Sequence, residues 1–303
     1  MSVGPAPVPA PGGAFAMVTT THTVMSVLRA AEGWLAARAI DAPRRSAELL
    51  LGKVLGLDRL ALYLQHDRPL DGGERDAMRA LLVRRGRREP VAYLLGEWSF
   101  RGHPLEVTPA VLIPRPETEE LVDHALPLLP PRARAVDLGT GSGALAIAIA
   151  LARPDVEVVA TDVSQNALQL AERNVVRHAL AARVRLRHGS WWEACAGEAP
   201  FDLVVSNPPY VDPARPDLLA DDVREFEPPL ALFCERGDPG SCYRAIAQGL
   251  AEHLRPGGAV VVETGVGADA AALAALQSCA QLRDVAVHPD LAGVPRFVVG
   301  RRG

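Results

Sequence analysis

Five consecutive residues, Ser206-Asn207-Pro208-Pro209-Tyr210, carry an uneven set of hydrogen-bonding groups. Adjacent prolines hold φ at roughly −65° and remove two backbone donors, so the loop offers carbonyl acceptors on a stiff frame. Asn207 adds a side-chain carbonyl, and Tyr210 adds a flat aromatic face. A planar NH2 group has two N–H bonds to be received and one face to be covered, so the chemistry indicated is capture of an amide or an exocyclic amine. Asn-Pro and Pro-Pro dipeptides also build ordinary turns, and the loop taken alone fits either use.

A second stretch, Asp137-Leu138-Gly139-Thr140-Gly141-Ser142-Gly143, spaces its glycines as GxGxG. Glycine permits positive φ and close approach of a ligand to the backbone, so a nucleoside-type ligand is expected across Gly139, Thr140, Gly141, Ser142 and Gly143. Dinucleotide sites use GxGxxG with the helix amino terminus aimed at a pyrophosphate, which weakens an NAD-dependent oxidoreductase reading. Asp162 follows ~20 residues later, the separation at which an acid on the next strand tip reaches ribose hydroxyls. Its competing use is capping the helix that opens at Ser164-Gln165-Asn166. Trp191 and Trp192 come after the third strand, where an indole either stacks on adenine or fills the core.

The elements that must position these groups follow from the apolar pattern. From Ala133 onward strands and helices alternate: strands at Ala133–Leu138, Val156–Thr161, Val184–Arg187 and Phe201–Ser206, with helices at Gly143–Arg153 and Gln165–His178. Such alternation predicts an α/β fold with a parallel sheet covered on both faces. It places the glycine loop, Asp162 and the Asn-Pro-Pro-Tyr loop at the carboxyl ends of strands, where open α/β sheets bind ligands. Beyond the loop the pattern predicts a helix near Tyr243–Leu254, a strand at Ala259–Glu263, a helix near Ala268–Ala280, and closing strands near Asp284–His288 and Arg296–Gly300. Upstream, apolar residues recur at helical spacing from Val24 to about Arg88, predicting a bundle of four or five helices. Between Glu89 and Pro116, Val91-Ala92-Tyr93, Trp98-Ser99-Phe100 and Leu105-Glu106-Val107 read as a β-hairpin linker. Arg115, between two prolines that force an extended approach to the next helix, is a further candidate.

With 303 residues, 49% of them hydrophobic and 22% charged, the chain can bury a sizeable core and supports four segments. These are a disordered stretch at 1–19, a helical domain at 20–88, the hairpin linker at 89–116 and the main domain at 117–303. Residues 1–19 lack the basic start of a secretory leader. No stretch approaches the ~20 apolar residues that a membrane span needs. Cys195, Cys234, Cys242 and Cys279 have neither CxxC spacing nor a neighbouring HxH, so no metal site or disulfide framework is expected, and a reducing cytoplasm fits. A net charge of −4 argues against broad nucleic-acid affinity, yet residues 20–88 hold 13 basic and 8 acidic side chains, net +5, against net −9 for residues 89–303. Arg84, Arg85, Arg87 and Arg88 end the basic region, either as a solvated helix end or as part of a docking surface for a protein substrate.

A GxGxG loop, an acid at the second strand tip and Asn-Pro-Pro-Tyr after the fourth strand resemble the arrangement of S-adenosylmethionine-dependent amino-methyltransferases. Pro90-Val91-Ala92-Tyr93-Leu94-Leu95-Gly96, Leu112-Ile113-Pro114-Arg115-Pro116-Glu117-Thr118-Glu119, the Asp137–Gly143 loop and Ser206–Tyr210 together resemble one family in that class. These are the protein-(glutamine-N5) methyltransferases of the PrmC/HemK family, which modify peptide chain release factors, and the resemblance spans about residues 25–300. It implies a seven-stranded Rossmann-like methyltransferase domain preceded by the helical bundle and hairpin. It also implies that S-adenosyl-L-methionine, leaving as S-adenosyl-L-homocysteine, is held by Gly139 to Gly143, Asp162, Trp191 and Asn207. The implied substrate is the glutamine of the Gly-Gly-Gln motif of class I release factors, bound by Asn207, Pro208, Pro209 and Tyr210. Ser190 departs from the family pattern, standing where many relatives carry Asp, and Gly237–Ser241 and Ala268 also differ.

An amide nitrogen is a poor nucleophile because its lone pair is delocalised, so orientation must supply much of the catalysis. Asn207 and the Pro208 carbonyl are expected to accept the two N–H bonds and Tyr210 to stack on the amide plane, with no metal and no covalent nucleophile. Adenine offers the same donors and flat face, so a DNA or RNA adenine-N6 methyltransferase is the nearest rival. The acidic main domain disfavours it, because nucleic-acid grooves need positive charge. A non-enzymatic binding module is disfavoured by the joint presence of loop, acid and Asn-Pro-Pro-Tyr.

Overall fold

The computed structural model describes residues 22–303, so the segment expected to be disordered at 1–19 lies outside the described residues. The chain divides into two compact units, one through Leu82 and one from Val83 onward. In the first, α1 (Val24–Ala36), α2 (Pro43–Leu55), α3 (Arg59–Leu64) and most of α4 (Gly72–Gly86) form the bundle. Val24, Leu28, Ala31 and Leu35 recur every three or four residues and are all buried, which is the stripe a helix needs to face a core. Thr23 and Asp58 cap their helices through side-chain oxygens that accept from Ser26 N and Ala61 N. Glu48 is buried in α2 and is paired with Arg44 and Arg59.

The second unit opens with α5 (Val91–Leu95), β1 (Glu97–Phe100) and β2 (His103–Glu106). Val91 to Tyr93 therefore turn into a short helix rather than an extended arm, with its carbonyls closed off by left-handed Gly96. The β1–β2 hairpin turns through Arg101 and Gly102, both at positive φ, the geometry that matches the twist of two antiparallel strands.

Seven strands make the main sheet: β3 (Arg134–Leu138), β4 (Glu157–Asp162), β5 (Val184–His188), β6 (Phe201–Ser206), β7 (Leu254–Glu263), β8 (Leu282–Pro289) and β9 (Pro295–Arg302). Their order is β5-β4-β3-β6-β7-β9-β8, parallel except for β9, which runs antiparallel to both neighbours. Helix α6 (Pro116–Ala125) precedes β3, and α7 (Ala144–Ala152), α8 (Gln165–Arg177), α9 (Asp221–Phe226), α10 (Pro229–Leu232), α11 (Ser241–His253) and α12 (Asp269–Gln277) lie between later strands.

Strand residues alternate between two cores. Ala135, Val158, Ala160, Leu203, Val205 and Val261 face one side with α6 and α7, while Val136, Val159, Val204, Val260 and Val262 face α11 and α12. Both faces are buried, which is why these strands read as unbroken apolar runs. Strand order reverses between β3 and β6, so a crevice opens at their carboxyl ends, where the connections part to opposite sides.

Candidate active site

A cavity of about 400 Å3 occupies that crevice. Gly139, Thr140, Gly141 and Ser142 line it from the β3–α7 loop, Asp162 from the tip of β4, Trp191 from the turn after β5, and Asn207 and Pro209 from the loop after β6. Four connections separated by as much as 70 residues thus meet around one space, because parallel strands bring their carboxyl ends to the same edge.

The glycine loop is held from below. Gly139 N and Thr140 N donate to Thr161 O at 2.9 and 2.8 Å, and the Thr140 hydroxyl donates to Asp137 at 2.6 Å. Asp137 is fully buried, and desolvation pushes its carboxyl up to about 7 against the hydrogen bond from Thr140. Gly139 and Gly141 have φ of 78° and 56°, and a Cβ built on either would meet no protein atom within 4 Å. A side chain there would obstruct the cavity rather than the protein, as expected of a cradle for a ligand. Gly143 differs: it does not line the cavity but caps α7 at a φ of 84°, where a Cβ would press on Ile147 and Ala171.

Asp162 does not cap α8, whose N-cap is Ser164 with its side chain accepting from Ala167 N; it ties two backbone segments at the cavity edge. One carboxylate oxygen accepts from Gly141 N at 2.9 Å and the other from Ser164 N at 2.8 Å, while the residue lines the cavity. Burial pushes its carboxyl up, opposed by those backbone N–H groups. Trp191 has a φ of 44°, left-handed backbone that costs an ordinary residue about 1–2 kcal/mol. The turn from Gly189 through Ser190 holds it there, with the indole at the cavity wall. Trp192 instead donates from Nε1 to Ile246 O at 2.9 Å and stacks on His253, so it belongs to the packing of α11.

In the Asn-Pro-Pro-Tyr loop, Asn207 Nδ2 donates to Thr118 Oγ1 at 3.1 Å. One of the two amide N–H bonds is engaged there, and no hydrogen bond among the described residues engages Oδ1, the acceptor a ligand could use. Pro208 is buried, and Tyr210 packs against Gly265, where a Cβ would lie 2.4 Å from the ring. Neither Pro208 nor Tyr210 is among the residues lining the cavity. Burial, with Glu263 beside it, pushes the Tyr210 phenol up to about 12, so it stays neutral.

The remaining wall comes from two further segments. Val111, Leu112, Pro114 and Thr118 cover one side, and Pro228, Leu230 and Phe233 another. The first belongs to the Leu112–Glu119 motif, whose prolines give it the extended approach to α6; the second has no motif in the sequence to mark it. That approach is fastened by Glu227, which accepts from Ile113 N at 3.1 Å and pairs with the Arg115 guanidinium. Arg115 is therefore a clasp for the wall rather than a part of it. Among the described residues there is no cluster of His, Cys, Asp and Glu that could hold a metal ion, and no helix is long and apolar enough to cross a membrane.

Two family models match the chain, the PrmC N-terminal domain over residues 26–96 and the methyltransferase small domain over residues 118–221. A release factor glutamine methyltransferase from Geobacter sulfurreducens is 42% identical over 282 residues, covering 93% of this chain and 97% of that protein. Another, from Xylella fastidiosa, is 45% identical over 269 residues, covering 88% of this chain and 96% of its own. A solved methyltransferase from Pyrococcus furiosus covers 74% of this chain and 96% of its own, at 18% identity and a TM-score of 0.48, too distant to compare residue by residue.

Proposed function

This chain belongs to the release factor glutamine methyltransferases, and from that premise we propose that it methylates N5 of the glutamine in the Gly-Gly-Gln motif of class I peptide chain release factors. It is an S-adenosylmethionine-dependent protein-glutamine methyltransferase. The observation that supports the finer reading is the Asn207 amide, which lines the cavity with one of its N–H bonds tied to Thr118.

The residues present suit S-adenosyl-L-methionine. Gly139 and Gly141 leave open space above their backbone, Asp162 offers carboxylate oxygens at the strand tip, and Trp191 offers an aromatic face. Thr140 and Ser142 complete the loop, and Gly143 gives α7 its start. When bound, the cofactor supplies a methyl group activated by its sulfonium. Asn207 Oδ1 and the Pro208 carbonyl receive the two N–H bonds of the glutamine amide, which fixes the nitrogen for in-line attack. The same acceptors favour the positive charge that grows on nitrogen, a gain larger in the transition state than in the ground state. Pro209, on the cavity wall, faces the amide plane with the Tyr210 ring supporting the loop against Gly265, and the methylated nitrogen loses its extra proton to water.

The test supplies methyl-labelled cofactor to separate samples of release factor, nucleic acid and ribosomes. Label is expected only in the release factor, at the Gly-Gly-Gln glutamine. Asn207→Ala should lower kcat by about 100-fold, the scale of a lost orienting contact, while cofactor affinity measured by calorimetry stays within a few fold. Label in nucleic acid, or normal turnover by the variant, would overturn the reading.

A further inference from the structure

Behind the Asn207 loop lies a buried carboxylate to which the chemistry above gives no task. Glu263 ends β7, is 2% exposed, and lies beside the Thr118 side chain, which holds its carboxyl down against the push of burial. Its Oε2 has no hydrogen-bond partner among the described residues. Thr118, in the first turn of α6, is itself 5% exposed and lines the cavity, and its Oγ1 receives the Asn207 Nδ2 proton. Glu263, Thr118 and Asn207 thus stand in one row from the core to the cavity wall, with the Asn207–Thr118 hydrogen bond at its outer end.

We propose, resting on the role given to Asn207, that Glu263 and Thr118 are positioning residues that determine which end of the Asn207 amide faces the glutamine. A carboxylate only accepts, and a hydroxyl carries one proton, so Thr118 gives that proton to Glu263. The lone pairs left on Oγ1 can then only receive, and the group beside them that donates is the Asn207 NH2. Oδ1 is left for the substrate. A neutral carboxylic acid also offers a donor. Thr118 can then accept from Glu263 and turn its own proton toward Asn207, so the amide can reverse and present NH2 to a substrate that itself needs acceptors.

Burial pushes the Glu263 carboxyl up to about 7, against the Thr118 side chain and the charge of Arg296. The other groups facing it are Arg115 and Glu117 at the start of α6, Arg296 on β9, Tyr210 in the loop and Tyr243 on α11. Arg115 is paired with Glu227 and Arg296 with Asp290, while burial pushes both phenols up. Above about 7 Glu263 is ionised and the row is polarised. Below it the carboxyl is protonated and the bias is lost.

The experiment measures kcat against pH with saturating cofactor and intact release factor. Wild type should rise by about tenfold through neutrality, and Glu263→Gln should be pH-independent near the acid level, a scale set by one misdirected contact. Thr118→Val should lose about 10- to 100-fold in kcat at all pH values with cofactor affinity kept, whereas Thr118→Ser should recover both rate and pH dependence. A merely structural Thr118 would shift melting temperature and cofactor affinity without touching the pH limb. If Thr118→Val does not fold, Thr118→Ser and the Glu263→Gln profile decide. A Glu263→Gln enzyme that keeps the acid limb, or a Thr118→Val enzyme with normal kcat, overturns the relay while an inactive Asn207→Ala leaves the function standing. An active Asn207→Ala overturns both.

Discussion

Asp162 holds two backbone N–H groups with the carboxylate that also borders the cavity. Removing it therefore loosens Gly141 and takes a carboxylate from the cavity wall at once. Asp162→Ala should weaken cofactor binding at least tenfold, about 1.4 kcal/mol, and lower the melting temperature by a few degrees. Calorimetric titration of the folded variant checks this, and unchanged affinity would remove Asp162 from the site. The neighbouring aromatic pair shows how little residue type alone decides. Trp191 and Trp192 are identical in chemistry and adjacent in sequence, yet left-handed backbone at the first sends the two indoles to different tasks. No composition or periodicity distinguishes them, because the difference arises from the turn through Gly189 and the packing of α11.

At the scale of elements, Tyr210 depends on a glycine from another connection. Gly265, just past β7, leaves room for the Tyr210 ring, and a Cβ there would lie 2.4 Å from it. Gly265 has no need of positive φ, so alanine is acceptable to the backbone and the aromatic ring must yield. Gly265→Ala should reduce methylation by about tenfold or more through misplacement of the loop, with cofactor affinity little changed. Steady-state kinetics beside a binding titration separates the two effects, and a variant with normal kcat would show that the ring position is immaterial. The wall formed by residues 111–114 is a second such dependence. Glu227, more than 100 positions away, fastens it through Ile113 N and Arg115. Local sequence predicted an extended segment there, but only chain folding brings the carboxylate to it.

At the scale of the whole molecule, the uneven charge distribution invites a docking role for the arginines at 84–88. They are not equivalent. Arg84 is paired with Glu89, and Arg85 is 7% exposed and donates to the carbonyls of Arg88 and Glu89, so neither is a loose surface charge. Arg87 is exposed. Reversing all four would mix docking with stability. Arg85→Glu should lower the melting temperature by several degrees, since it buries a like charge among backbone acceptors. Arg87→Glu should leave melting alone and slow methylation of intact release factor at low salt only, the signature of a rim charge that steers encounter. Salt-independent rates for Arg87→Glu would return the cluster to a solvated helix end.

The order of strands and helices from Ala133 to Gly300 was legible from apolar runs and punctuation, since the central strands β3, β4, β6 and β7 are buried on both faces and α8 and α11 carry buried stripes. The glycine loop, Asp162 and Asn-Pro-Pro-Tyr were legible as well, because unusual backbone requirements demand unusual residues. Local sequence could not tell that Val91 to Leu95 would coil, or that Gly143 would serve α7 rather than the cavity. Nor could it give the row from Glu263 through Thr118 to Asn207. Its members stand on β7, α6 and the loop after β6, and nothing in the spacing of one predicts another. Hydrogen-bond polarity passes between groups that touch, and only the packing of α6 against the sheet makes these three touch.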